Sequence, residues 1–345
     1  MRTLVERTIQ RSIKGVEYFA SAAPAVGLTP KQTIYSRGTL NLYHYPARSD
    51  EIYRVPILMV MATTNKAYVF DIAQDYSFVS YLLDAGYDVF VIDWDAPRPE
   101  EKHLDLGDYT QDFIPDCIDR IQQATGETDV TVVGYCMGGV LSLIYAATHP
   151  DGPMKNLVCF TTPVNWQEMG LFSHMADPKY FDVDKLVDAV GNIPPDLLVS
   201  SFDMLAPAKR TAGQIRLWDN MWNDEYVENH RKFARWANEL LPLAGEYFRQ
   251  TTKELMWGNK LYTGELVVNG KSADLANIKA PVFHAVALHD HIIPPKASAP
   301  LIELVGSEDK LEVELKGGHT SLIAGRNAVK RMWPRLDEWL AERSI

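Results

Sequence analysis

Gly134-Tyr135-Cys136-Met137-Gly138-Gly139 decides how the rest of this 345-residue chain is read. The stretch follows the apolar run 129–133 without a break and leads straight into a second apolar stretch, 140–147, of helical character. A strand, a sharp turn flanked by glycines and a helix in immediate succession form a nucleophile elbow, with cysteine where serine is usual. The glycines let the backbone take the strained turn that lifts the central side chain above a sheet. The helix N-terminus beneath it favours a thiolate, and the backbone N–H of Met137 is placed to donate to an oxyanion. The competing reading is a small buried cysteine on a glycine-rich turn.

A thiol nucleophile needs a base to hold its proton and a third group to orient that base. Two later positions supply them. Residues 281–290 read as a strand ending in Leu288-His289-Asp290-His291, where strand alternation turns Asp290 away from its two histidine neighbours. Residues 311–315 read as a final strand running into Lys316-Gly317-Gly318-His319, a histidine on a loop loosened by glycine. Cys136, Asp290 and His319 thus appear as nucleophile, acid and base in the chain order of the α/β-hydrolase fold. A second oxyanion donor is expected from the loop at 59–66, with the backbone N–H of Thr64 the best candidate.

Other residues of the same types read as structural. His289 and His291 lack a carboxylate or cysteine partner at ligand spacing, so no metal site is expected, and no cofactor either. His291 is a candidate for the mouth of the site. His149, before Pro150, reads as a helix cap, and His44, His103, His174, His230 and His284 have no supporting motif. Asp93 is the one rival acid; its place before Trp94 on an earlier strand points to a structural hydrogen bond. Cys117 and Cys159 fall on a helix and in a strand and read as core residues.

Apolar runs at 55–62, 88–94, 129–135 and 156–163 alternate with helical stretches at 78–86, 109–124 and 140–149, the pattern of a buried, mostly parallel sheet. The same grammar resumes at 281–290 and 311–315 and closes with a helix at 327–343. Between them, residues 165–279 turn helical and carry Trp166, Trp218, Trp222, Trp236 and Trp257. The expected organisation is an α/β core at 31–164 and 280–345, with an inserted helical cap or lid at 165–279. An amphipathic segment at 1–30 places Leu4, Ile9, Ile13, Val16 and Phe19 at helical spacing; it docks on its own core, or else meets a partner helix or a lipid-like surface.

Composition narrows the function further. Thirty-four basic against forty-five acidic residues give a formal charge of −11 and no basic block, which argues against nucleic acid as a partner. Three cysteines are too few for a disulfide framework, and a reducing cytoplasm fits best. No transmembrane span and no export signal are expected, since Glu6, Arg7, Gln10, Arg11 and Lys14 interrupt the first twenty residues.

The chain resembles the poly(3-hydroxyalkanoate) synthases, specifically the short catalytic subunits of classes III and IV. The matching stretches are Thr64-Asn65-Lys66-Ala67-Tyr68, Asp93-Trp94, the elbow at 134–139, Tyr180-Phe181, Gly191-Asn192-Ile193-Pro194-Pro195, Asp274-Leu275-Ala276-Asn277-Ile278, Asp290-His291 and Gly318-His319. The Tyr-Cys-Met elbow and Ser321, two residues after the histidine, resemble class IV most. Such a chain is expected without the long N-terminal domain of classes I and II. It departs from the family pattern at Thr63-Thr64, Ala67 and Thr320, which bears on pocket shape and leaves the triad intact.

The resemblance implies polymerisation of (R)-3-hydroxyacyl-CoA into poly(3-hydroxyalkanoate), with CoA released. Cys136 would carry the acyl group, His319 would act as base, and Asp290 as its partner or as activator of the incoming hydroxyl. Exchange of one thioester for another keeps the acyl group activated, which suits a thiol nucleophile. The resemblance also implies a small accessory subunit, a homodimer or hetero-oligomer, and a cytoplasmic place at the surface of polyester granules. Lys209, Arg210 and Arg216 are candidate contacts for CoA phosphates, with solvated surface charge as the alternative. Two rival functions share these residues: a Cys-dependent thioesterase or esterase, similar to dienelactone hydrolase, and a non-catalytic granule-binding homologue.

Overall fold

Runs of Val, Ile and Leu with no exposed position form the centre of the sheet, because a parallel sheet covered on both faces has no solvent side to mark with polar residues. In the computed structural model, residues 2–205 and 207–345 are described, the side chains of 2–5, 19 and 208–210 excepted. Leu4 and Phe19 of the amphipathic segment, and Lys209 and Arg210 of the cap, therefore lie outside the described side chains. The strands are β1 (Gln32–Arg37), β2 (Leu40–Tyr45), β3 (Ile57–Val60), β4 (Val89–Trp94), β5 (Val130–Tyr135), β6 (Met154–Phe160), β7 (Val267–Val268), β8 (Lys271–Ser272), β9 (Val282–Ala287) and β10 (Lys310–Leu315). Among the described residues, eight of them make one sheet in the order β1-β2-β4-β3-β5-β6-β9-β10. From β4 to β10 every pairing is parallel, and β1 and β2 add an antiparallel edge.

That edge hairpin departs from the expected pattern. β1 reads Gln-Thr-Ile-Tyr-Ser-Arg and stays largely exposed, so it shows no apolar run. Its signal is the two-residue turn Gly38-Thr39, with Gly38 at φ +56° joining Arg37 to Leu40. The expected helix at 109–124 is a π-turn, Asp108–Phe113, followed by the α-helix Ile114–Thr125. Pro115 lacks an N–H to continue the ladder, and the π-turn takes up the irregularity. The closing helix is built the same way, Ala328–Met332 then Trp333–Ala341, with Pro334 at the junction.

Parallel registry brings the functional positions to one end of the sheet. Val60 at the end of β3 lies opposite Gly134 of β5, so the loop after β3 emerges beside the elbow. Leu315 at the end of β10 lies opposite Ala287 at the end of β9, so the chain reaches His319 and Asp290 a few residues later on the same edge. Ligands of open α/β sheets bind outside the carboxyl ends of the strands, which is where all of these residues emerge.

Residues 165–279 are inserted between β6 and β9 and are helical for most of their length. Their last part turns back to the core. The ribbon β7–β8 and the turn Leu275–Asn277 pack against the helix Met137–Thr148, and Leu266, Val268, Ala273, Leu275 and Ile278 are buried there. The N-terminal helix Arg2–Ala20 rests on the cap: Arg11 donates to the Asp219 carbonyl at 2.8 Å, Lys14 pairs with Asp224, and the Arg7 guanidinium lies 4.7 Å from the Trp222 ring. Ile9, Ile13 and Val16 face outward, so the contact is made by the polar side of the helix.

Candidate active site

The elbow forces Cys136 into a backbone conformation that few non-glycine residues adopt, φ +55° and ψ −122°. Close packing on three sides leaves the chain no other course. A Cβ on Gly134 would lie 2.4 Å from the Gly139 Cα, one on Gly138 2.1 Å from the Val60 carbonyl oxygen, and one on Gly139 2.0 Å from Thr162 Oγ1. Glycine is required there by contact as much as by torsion. The Cys136 N–H donates to the Phe160 carbonyl at 2.9 Å, and its own carbonyl accepts from Gly139 and Val140 as the helix begins. Met137 heads the helix Met137–Thr148, where first-turn N–H groups have no intrahelical acceptor.

Cys136, Asp290 and His319 come together at this elbow. His319 is buried on a short helical turn, His319–Leu322, and its Nδ1 lies 2.6 Å from Asp290 Oδ2. The remaining nitrogen, Nε2, is not engaged by Asp290, and Cys136 is near enough to act on the imidazole. Burial alone would push the imidazole pKa down, but attraction to Asp290 and Cys136 outweighs it and raises the value to about 10. The Asp290 side chain is fully enclosed. Its Oδ1 accepts from the N–H groups of Ile292 at 2.8 Å and Ile293 at 3.0 Å. With one oxygen held by backbone and the other on His319, this carboxylate orients the imidazole and has no face toward a substrate.

The loop after β3 is fastened from both sides. Trp94 Nε1 donates to the Met61 carbonyl at 2.9 Å, and the Ala67 N–H donates to Asp93 Oδ1 at 2.7 Å, while Lys66 pairs with Asp93 and Asp95. Asp93 therefore serves this loop. From the cap, the Leu241 N–H donates to the Thr64 carbonyl at 2.8 Å and Trp236 Nε1 to the Lys66 carbonyl at 2.9 Å. Thr64 is thus held in the loop that Val60 brings beside the elbow.

The remaining candidates sort by exposure and partner. His289 and His291 are exposed on either side of buried Asp290. Among the described residues, no three His, Cys, Asp or Glu side chains come together as a metal site. His149 caps its helix with Nδ1 3.0 Å from the Tyr145 carbonyl. Buried His284 lies between Glu312 and Ser298, 2.9 Å from each. Cys117 and Cys159 are buried, and burial pushes both thiols well above the ordinary range. Arg216 is exposed on the cap.

Three aromatic or hydroxyl side chains at the site carry no motif of their own. Tyr135, immediately before the nucleophile, lies with its ring centroid 5.0 Å from that of His319. Thr63 and Tyr247 are 5% and 2% exposed. Tyr135 could have been noticed from the elbow itself; Thr63 and Tyr247 are joined only by the packing of the cap.

Comparison with known proteins shows the fold and the family. A family profile described as the alpha/beta hydrolase fold matches residues 56–325, and one described as the poly-beta-hydroxybutyrate polymerase (PhaC) N-terminus matches residues 12–82. The chain is 37% identical to the poly(3-hydroxyalkanoate) polymerase subunit PhaC of Allochromatium vinosum, over 96% of this chain and 94% of that one. It is 34% identical to the same-named subunit of Haloferax mediterranei, over 93% of this chain, and spans 65% of that relative's length. The Synechocystis subunit of that name is 31% identical over 92% of this chain and 86% of its own. Among solved structures, a soluble variant of monoglyceride lipase from Saccharomyces cerevisiae superposes with a TM-score of 0.60 at 16% identity, over 94% of this chain and 97% of that one. Est1E from Butyrivibrio proteoclasticus gives 0.55 at 13% identity, over 90% and 98%. At such identities the two structures speak for the fold alone.

Proposed function

This chain belongs to the poly(3-hydroxyalkanoate) polymerase family, which is built on the α/β-hydrolase fold, and from that premise we propose that it polymerises (R)-3-hydroxyacyl-CoA with Cys136 as the acyl carrier. The observation that carries the reading is the buried His319, hydrogen-bonded to Asp290 and close enough to Cys136 for the two to interact electrostatically. The proton shared by Cys136 and His319 rests on the imidazole, and the Cys136 thiolate attacks the thioester carbonyl of the substrate. The N–H groups of Met137 and Thr64 hold the oxyanion. The bond from carbon to the CoA sulfur breaks, and CoA leaves with the proton held by His319.

The second half runs in reverse with an alcohol in place of CoA. The 3-hydroxyl of another acyl unit gives its proton to His319 as its oxygen attacks the Cys136 thioester. An ester bond forms, the bond to sulfur breaks, and the proton stays on His319 beside the regenerated Cys136 thiolate. Asp290 stays on His319 throughout, since it is enclosed and fully engaged; activation of the incoming hydroxyl falls to His319. The cap at 165–279 covers the site and keeps out water, which would otherwise release free acid.

Incubation with 3-hydroxybutyryl-CoA tests the reading. Insoluble polyester with stoichiometric CoA release is the expected result, and soluble 3-hydroxybutyrate alone would replace polymerase with hydrolase. We place the enzyme in the cytoplasm at the polyester surface, with a small accessory subunit as partner. No helix among the described residues is long and apolar enough to cross a membrane. Full specific activity of the chain purified alone would remove the need for that partner.

A further inference from the structure

Thr63 and Tyr247 are not used in the steps above, and they come from independent elements, one from the loop after β3 and one from the cap. Thr63 lies on the loop that begins at Val60, whose carbonyl is in such tight contact with Gly138 that no side chain fits between them. The indole of Trp94 holds the same loop at Met61. Tyr247 comes from the cap helix Gly245–Gln250. Its ring lies tilted 4.8 Å from that of Tyr109, which in turn lies 5.2 Å from Trp94. The helix packs closely on the turn at Gly191: a Cβ on Gly245 would lie 2.5 Å from the Gly191 carbonyl.

These contacts put the Tyr247 hydroxyl beside that of Thr63 and within the electrostatic reach of Cys136. Neither hydroxyl has a hydrogen-bond partner of proper geometry among the described residues, although both oxygens are wholly enclosed. Enclosed hydroxyls without partners are destabilising, and natural interiors rarely keep two of them side by side without a use. Burial pushes the Tyr247 phenol well above its ordinary range; the neighbouring Thr63 hydroxyl opposes this, and Cys136 adds a smaller push upward. The phenol stays protonated and can donate.

The chemistry of the pair selects its ligand. An oxyanion takes donors only, and backbone N–H groups already serve it. Two hydroxyls, each able to donate and accept, match a group that also does both. Resting on the polymerase reading, we propose that Thr63 and Tyr247 form a subsite for the 3-hydroxyl of the acyl unit loaded onto Cys136. The subsite selects hydroxyacyl over plain acyl thioesters. A site built to bond a hydroxyl rejects the analogue lacking it far more strongly than an apolar pocket rejects a missing methylene.

The test compares single-turnover acylation of Cys136, followed by intact mass, with 3-hydroxybutyryl-CoA and butyryl-CoA in parallel. Wild type is expected to favour the hydroxyacyl thioester, and Tyr247→Phe and Thr63→Val each to lower that preference by roughly 10- to 100-fold. Both substitutions keep the shape of the side chain, and alkylation of Cys136 by iodoacetamide reports that the elbow is intact. A preference unchanged in both variants, even with both rates reduced together, would overturn the subsite alone. Failure of 3-hydroxybutyryl-CoA to acylate wild-type Cys136 would overturn the polymerase reading and the subsite with it.

Discussion

In the proposed reaction His319 holds the proton that moves, and its surroundings set how firmly. Burial disfavours the imidazolium, but Asp290 and Cys136 reverse that effect and carry the pKa to about 10. The folded-state value lies above the unfolded one, so the stabilisation is fully present below about pH 6.5 and is lost as pH rises through 10. Wild-type urea midpoints should therefore fall between pH 7 and 10, and those of His319→Gln should fall less; parallel curves would contradict this account. Asp290→Asn removes the carboxylate that orients the ring while leaving the elbow in place. CoA release is expected to drop by about 10³- to 10⁴-fold, with the imidazole resonance titrating closer to the ordinary histidine range. Cys136→Ala should abolish CoA release altogether, since no other thiol is accessible: Cys117 and Cys159 are buried. Residual release at a substantial rate in that variant would mean the acyl group has another carrier.

The elements that hold these residues differ in how plainly the sequence announces them. β3, β4, β5 and β9 are buried along their whole length and so appear as predominantly apolar runs, broken only by Asp93, Thr131 and His284. The elbow is legible because its glycines have a local cause: at Gly138 an added Cβ meets the Val60 carbonyl at 2.1 Å. Gly138→Ala is expected to cost roughly 1–3 kcal/mol in urea denaturation and to reduce Cys136 alkylation, because the obstacle is backbone and cannot swing aside. Gly213, with open space around it, is the control, and Gly213→Ala should be neutral or stabilising. β1 was hidden by its exposure, and the Thr63–Tyr247 pair by its dependence on how cap and loop meet. Asp93 was ambiguous in sequence because any acid at a strand end can be catalytic; its bonds to Ala67 and Lys66 show the loop as its partner. Asp93→Ala should lower stability by about 1–3 kcal/mol by leaving the buried Ala67 N–H unpaired, with Cys136 alkylation retained. Loss of alkylation together with full stability would return Asp93 to the triad.

At the scale of the whole molecule, the cap links the chain's beginning to the active site. The helix Asp224–Asn238 takes Lys14 of the N-terminal helix at one end and, through Trp236, holds the Lys66 carbonyl at the other. Between these points Arg231 donates to the Ser21 carbonyl at 3.1 Å and to that of Ala22, and Arg235 to Pro24 at 2.9 Å. The N-terminal segment is therefore fastened to the element that fastens the loop after β3. Its attachment rests largely on charged side chains near water, while Ile9, Ile13 and Val16 point outward and contribute little. Such pairs weaken as the screening length falls from about 10 Å at 0.1 M salt to about 3 Å at 1 M. Sheet strands, by contrast, are held by burial that salt does not weaken. Hydrogen exchange of the helix Arg2–Ala20 should therefore quicken several-fold between 0.1 and 1 M sodium chloride, with β3, β4 and β5 unchanged. Peptide-level mass spectrometry would resolve the two regions. Equal protection of the helix at both salt concentrations would assign its attachment to packing on Trp218 and Trp222 instead of to charge.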